Sequence, residues 1–182
     1  SGAVAVLGER ECSLQRRHQK LVEIAPSPGL VPALRARLAA AALRMAAAVR
    51  YASLGTFEFL IDADAAGAFY FLEANPRLQV EHTVTEVVTG IDLVAAQLRL
   101  AGGDTLADVG LAAGAEPAAR GYALQLRINM ETMRADGEAV PGGGTLTAYE
   151  PASGPGVRVD GCGYAGYTTN PRFDSLLAKL VV

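Results

Sequence analysis

The sequence predicts an α+β chain in two parts: an antiparallel β-hairpin sheet flanked by helices, then a mostly β region. Three observations predict it. A long Ala-, Leu- and Arg-rich run from Pro32 to Ala52 repeats apolar residues at helical spacing. Residues 55–72 switch to period two around a single turn. Beyond residue 119, short alternating runs are separated by glycine-rich turns. The expected organisation is residues 1–103 as the first part, 104–119 as a linker without clear period, and 120–182 as the second part.

In order, Pro32 suits the first turn of a helix, and Leu34, Leu38, Met45 and Val49 fall on one of its faces. Phe57, Phe59 and Ile61 alternate with Thr56, Glu58 and Leu60, which reads as a strand. Residues 62–67 (DADAAG) supply turn chemistry, and residues 68–72 return as a second strand. Thr83 and Glu86 have the spacing of a capping box for a helix that closes at Gly90. Asp92 caps a further helix ending at Gly102-Gly103. In the second part, residues 122–129, 145–149 and 157–160 read as strands. The glycine turn after Pro141 lacks the Gly-Lys-Ser/Thr ending of a phosphate loop and precedes a strand, so it is a turn.

Composition sets limits on function. Of 182 residues, 51% are apolar, enough to bury a core as an ordinary soluble protein. The net charge of -3 argues against nucleic acid and membrane surfaces, which require a positive field, so an anionic ligand must be held by a local cluster. The natural first candidate is the basic run of residues 9–20, ERECSLQRRHQK, with Arg10, Arg16, Arg17, His18 and Lys20. Cys12 and Cys162 lie far apart with no metal or redox spacing and read as reduced thiols, which fits a cytoplasmic protein. No stretch is long and apolar enough to span a bilayer, and no signal peptide is visible. The Ser1-Gly2 start without methionine, and an end inside an apolar run at Val182, suggest a piece of a longer protein.

The chemistry concentrates on and beyond the second strand. With residues 62–67 as the loop, Ile61 faces Ala68, Glu58 faces Phe71, and Glu73 lies diagonally from Glu58 on one face. Diagonal neighbours are roughly 7–8 Å apart, within reach of a shared ion. Two such carboxylates repel unless a cation lies between them, and all-oxygen ligands suit magnesium or manganese. If the chain stays extended, Glu73, Asn75, Arg77, Gln79 and Glu81 form a single row. Asn75 then adds a third oxygen, Arg77 a planar fork for a carboxylate-like anion, and Glu81 a spare acid to take a proton. Any one of these residues alone reads as solvated surface; the set in strict alternation reads as a ligand-facing row.

Three segments, GTFEFLID (55–62), FYFLEANPRLQVEHTVTEVVTGIDLVAAQLRLAGG (69–103) and ERECSLQRRHQK (9–20), together resemble the ATP-grasp core of the biotin carboxylases. Residues 124–129 (LQLRIN), the turn PGGGTL and residues 164–180 (YAGYTTNPRFDSLLAKL) resemble the C-terminal domain of the same enzymes. The likeness covers about two thirds of the chain and is weakest between Asp104 and Ala119. It implies the C-terminal half of an ATP-grasp domain followed by a partial, mostly β biotin-carboxylase C-terminal subdomain.

By that resemblance, Glu58, Glu73 and Asn75 match metal ligands that bridge ATP. Lys20, Arg77, Gln79 and the N–H of Val80 match bicarbonate contacts, and Glu81 matches the base that deprotonates it. Arg127 matches the residue that steadies the biotin enolate, while Gln15 and His18 approach the nucleotide. The implied ligands are ATP, Mg2+ or Mn2+, bicarbonate, and biotin as a substrate on a carrier domain. The implied partners are a carboxyltransferase component and further copies in a homo-oligomer. Two departures stand out: Met130-Glu131-Thr132-Met133 replaces the family's usual continuation after Asn129, and the segments that supply the lid and adenine contacts have no counterpart here, so the 182-residue chain by itself is expected to be silent. Rival readings are another ATP-grasp ligase, such as a carbamoyl-phosphate synthetase, or a non-catalytic docking module.

Overall fold

A computed structural model describes residues 2–65, 67–112, 114 and 116–182. Ser1, Ala66 of the predicted hairpin turn, and Ala113 and Ala115 of the predicted linker lie outside the described residues. The elements in order are β1 (Glu11–Arg16), β2 (Gln19–Ala25), α1 (Pro32–Ala48), β3 (Thr56–Ile61), β4 (Phe69–Asn75), α2 (His82–Thr89) and α3 (Leu93–Ala101). They continue as β5 (Ala123–Asn129), β6 (Glu131–Met133), β7 (Ala139–Pro141), β8 (Gly144–Thr145), β9 (Arg158–Gly161), β10 (Thr168–Thr169) and β11 (Leu176–Val181). The chain divides into two compact units, one of Ile24–Tyr122 with the residues up to Glu11, the other of Cys12–Glu23 with Ala123–Val182. Among the described residues, no helix is long and apolar enough to cross a membrane.

In the first unit, Pro32 opens α1 as expected, where its missing N–H breaks no helical bond. Leu34, Leu38, Ala41 and Ala46 are its buried residues. The predicted stripe holds only through Leu38. Val49 is 69% exposed because the helix ends at Ala48 and the chain turns left-handed at Arg50. Alanines, Ala41 and Ala46, complete the buried face.

The capping box is not formed. Helix α2 begins at His82 with Glu81 at its N-cap, which places Thr83 inside the helix. Glu86 instead accepts a 2.8 Å bond from the Leu93 N–H and lies 3.1 Å from His82 Nδ1, tying α2 to the start of α3. Gly90 closes α2 as expected, with φ 75° and its N–H donating to Glu86 O at 2.7 Å. Asp92 Oδ1 caps α3 by accepting from the Ala95 N–H at 2.8 Å.

The stretch read as a linker carries local structure among its described residues. Leu111 is buried, and Asp108 accepts both the hydroxyl and the N–H of Thr105, which together hold its carboxyl below the usual range.

Strands β3 and β4 form the predicted hairpin in a different register. Ile61 pairs with Phe69, Leu60 with Tyr70 and Phe59 with Phe71; the ladder then shifts, so that Glu58 pairs with Glu73 and Thr56 with Asn75. The extra residue is Leu72, a β-bulge.

The second unit holds a five-stranded sheet in the order β1-β2-β5-β11-β9. The basic run, expected only as an anion contact, forms the β1–β2 hairpin. Its turn is Arg17-His18, with φ 52° and 64°. Such two-residue turns normally show Asn-Gly, so the sequence carried no turn signal there. Strand β11, also unread in the sequence, pairs antiparallel with both β5 and β9. Strands β5 and β9 match predicted elements to within a residue, but the strand predicted at 145–149 shrinks to Gly144–Thr145, paired with β10. Residues 142–143, read as part of a turn, join β7 to β8, strands of two different two-stranded sheets.

Candidate functional site

The bulge decides which side chains meet. Before it, Phe59 packs edge-to-face on Phe69 and Phe71, with ring centroids 5.5 and 6.1 Å apart, on one side of the hairpin. An unbroken ladder in this register would place Glu73 on that aromatic side, because residues 69, 71 and 73 share a face. Leu72 uses up one step, and Glu73 arrives opposite Glu58 instead. The two acids are therefore direct cross-strand partners, closer than the diagonal relation the sequence predicted.

Asn75 lies between them. Its Nδ2 donates to Glu73 Oε1 at 2.8 Å and to Glu58 Oε1 at 3.2 Å, so the positive end of the amide offsets the two carboxylates. Gln79 joins from beyond the strand, its Nε2 donating to Glu58 Oε1 at 2.8 Å. The amide of Gln79 carries a second N–H.

The extended row past Glu73 does not exist. Strand β4 ends at Asn75, and Arg77 N–H bonds back to Asn75 O at 2.9 Å because Pro76 cannot continue the ladder. A further turn follows, with the His82 N–H donating to Gln79 O. Arg77 is consequently exposed, with its Nη1 3.2 Å from Leu78 O, whereas Gln79 and Glu81 are buried at 6% and 2% exposure. Val80 is half-buried. The five residues reach their places through a strand end and two turns, not through alternation.

Arg10 was expected among the anion contacts, but its guanidinium serves the protein. Its Nη2 donates to Gln79 Oε1 at 2.8 Å and to Thr56 Oγ1 at 3.1 Å, and its Nη1 donates to Thr85 Oγ1 at 3.0 Å. One side chain thus joins β3, α2 and the loop between β4 and α2. Arg16 and Arg17 are also engaged within the protein, pairing with Glu131 and Glu138.

Gln15, His18, Lys20 and Arg127 belong to the second unit. Gln15 is exposed on β1, its Nε2 2.9 Å from Cys12 O, and His18 is exposed at the hairpin tip. Lys20 is half-buried on β2. Arg127 on β5 donates from Nε to Glu23 Oε1 at 2.7 Å, while Gln125 Nε2 donates to Glu23 Oε2 at 2.8 Å. Glu23 is fully buried, and sequence reasoning passed over it. The available signal was a lone carboxylate inside the apolar run LVEIA (21–25), because a charge buried in such a strand must be paired. Cys12 and Cys162 are thiols, not a disulfide, as expected.

The donor set fits a hard divalent ion in a restricted way. Among the described residues, no three His, Cys, Asp or Glu side chains converge on one point. Glu58 and Glu73 offer two carboxylates, and rotation of the Asn75 amide offers a third oxygen. Magnesium is ordinarily held by one or two carboxylates with phosphate oxygens completing its shell, which matches an incomplete set of this kind.

The paired acids lie on a hairpin of the first unit, the second unit is mostly β, and comparison with known proteins defines the class. Residues 1–109 match the family model described as the carbamoyl-phosphate synthase L chain, ATP binding domain, and residues 125–182 match the biotin carboxylase C-terminal domain. One of the pyruvate carboxylase subunits of Methanothermobacter thermautotrophicus is 46% identical over 186 residues, covering 100% of this chain and 35% of its own length. A biotin carboxylase of Nostoc sp. is 46% identical over 181 residues, covering 100% of this chain and 39% of its own. Among solved structures, the biotin carboxylase domain of a single-chain bacterial carboxylase is 52% identical with a TM-score of 0.89, covering 100% of this chain and 40% of that one. A single-chain, multi-domain long-chain acyl-CoA carboxylase is 51% identical with a TM-score of 0.91, covering 97% of this chain and 18% of that one. The chain belongs to the biotin carboxylase family, and it spans well under half the length of these relatives.

Proposed function

We propose that this chain forms part of a biotin carboxylase, a ligase that uses ATP and bicarbonate to carboxylate biotin. The observation that carries the proposal is the direct pairing of Glu58 with Glu73, with the Asn75 amide on both carboxylates and the Gln79 amide on Glu58, in a chain 46–52% identical to carboxylases along its whole length. The match of residues 125–182 to a biotin carboxylase C-terminal domain favours this over a carbamoyl-phosphate synthetase, and the polar site itself counts against a mere docking module.

In this reading Glu81 takes the proton of bicarbonate, and the freed oxygen attacks the γ-phosphorus of ATP, so that the bond to ADP breaks and carboxyphosphate forms. Loss of phosphate from carboxyphosphate releases carbon dioxide; the departing phosphate takes the ureido N–H proton of biotin, and the nitrogen so deprotonated captures the carbon dioxide. Mg2+ or Mn2+ on Glu58, Glu73 and Asn75 would supply neutralising charge at the phosphates. Lys20, Arg77, Gln79 and the Val80 N–H hold bicarbonate, Gln15 and His18 contact the nucleotide, and Arg127 stabilises negative charge on the ureido oxygen. Biotin is carried on a carrier domain, and a carboxyltransferase component uses the product, within a cytoplasmic homo-oligomer.

The test is bicarbonate-dependent ATP cleavage and carboxylation of free biotin by the full-length protein. Glu81→Gln should lower turnover by about 10²–10⁴-fold, the range of general base catalysis. Full turnover in that variant removes Glu81 as the base.

A further inference from the structure

We infer that Glu23 is a positioning residue for biotin carboxylation, holding Arg127 in the orientation its task requires; this rests on the proposed role of Arg127. Glu23 is at 0% exposure in the middle of β2. A carboxylate there is costly unless both oxygens are satisfied by strong donors. Gln125 Nε2 takes Oε2 at 2.8 Å, and Arg127 Nε takes Oε1 at 2.7 Å. Both donors come from alternate positions of β5, the strand next to β2 in the sheet.

The choice of atom matters. Glu23 engages the guanidinium through Nε, near the stem, which fixes the plane of the fork and the direction in which its outer edge points. Arg127 is only partly buried, its side chain 16% exposed against 0% for Glu23. The carboxylate of the pair is therefore sealed from solvent, whereas the guanidinium keeps some exposure. Gln125, also fully buried, prevents the carboxylate from rotating. A purely stabilising ion pair is a poor explanation, since a buried pair usually adds no stability over apolar residues of the same size. Holding a cation in the place where negative charge develops is what such a costly arrangement accomplishes.

The order of the proposed reaction gives a test that separates positioning from scaffolding. Carboxyphosphate forms before biotin takes part, so ATP cleavage driven by bicarbonate alone does not need Arg127 and carboxylation of biotin does. In the full-length protein, Glu23→Gln should lower biotin carboxylation by about 10- to 100-fold, the cost of a displacement near 1 Å at a reacting centre. It should leave bicarbonate-driven ATP cleavage within about two-fold of wild type, inside ordinary mutational scatter. Glu23→Asp keeps the charge but is one methylene too short to hold both donors, and should give a smaller loss confined to the same activity; it serves if Glu23→Gln does not fold. In an Arg127→Ala background, Glu23→Asp should have no further effect on biotin carboxylation. Parallel loss of both activities in the folded variants, or unchanged carboxylation, overturns the inference. Unchanged carboxylation in Arg127→Ala alone overturns the role of Arg127 and the inference with it, whereas loss there but not in the Glu23 variants overturns the positioning alone.

Discussion

Glu58 and Glu73 stand directly opposite each other across the β3–β4 ladder, with the Asn75 amide donating to both. Two carboxylates so placed repel each other unless a cation lies between them. In the full-length protein with ATP, Glu58→Gln and Glu73→Gln should each weaken Mn2+ binding at least as much as the loss of an outer ligand partner, about 10- to 100-fold. Enhancement of water-proton relaxation by Mn2+ reads this directly. Equal enhancement in wild type and both variants would rule out this pair as the ion's seat.

The same pairing makes an unusual prediction for Leu72, the bulge residue, which is 54% exposed. Deleting it lets β4 pair with β3 residue for residue, and Glu73 then still faces Glu58. Mn2+ binding in the deletion variant should stay close to wild type, far above that of Glu58→Gln. If it falls as low as Glu58→Gln, the local twist of the bulge shapes the site as much as the register does.

Alternation found both strands and put both acids on one face, but it placed Ile61 opposite Ala68, one residue from the true partner, Phe69. An unbroken ladder in the true register would have turned Glu73 toward the phenylalanines, and the bulge cancels that shift. Nothing in Phe71-Leu72-Glu73 announces a bulge, since no glycine or turn residue is present. The helix ends Gly90 and Asp92 were legible because caps are local chemistry. Glu23 with Arg127 and Arg10 with Gln79 were not, because these contacts join residues 104 and 69 positions apart.

Asp92 offers a plain check on the local reading. Its carboxylate caps α3 through the Ala95 N–H, so Asp92→Ala should destabilise the chain by about 1 kcal/mol. Urea denaturation should show a lower midpoint with an unchanged slope. An unchanged midpoint would mean that the packing of Leu93 and Ala96 alone holds that helix end.

Arg10 sets the orientation of the Gln79 amide. A carboxamide has two nearly equivalent orientations about its terminal torsion, and only one presents N–H groups to Glu58. Arg10 Nη2 takes the Oε1 of Gln79 at 2.8 Å, which leaves Nε2 to face Glu58. Thr56 and Thr85 hold the guanidinium itself in place. Arg10→Met removes the selection, and a hydrogen bond to a charged group contributes about 1.5–3 kcal/mol. If Gln79 contacts bicarbonate, the KM for bicarbonate should rise by about ten-fold or more, with kcat reduced less. Gln79→Leu should raise the same KM, and the double variant should be no worse than Gln79→Leu alone, since Arg10 acts through that amide. A bicarbonate KM that rises in Gln79→Leu but not in Arg10→Met would show that Glu58 suffices to orient the amide, and additive effects in the double variant would give Arg10 a contact of its own.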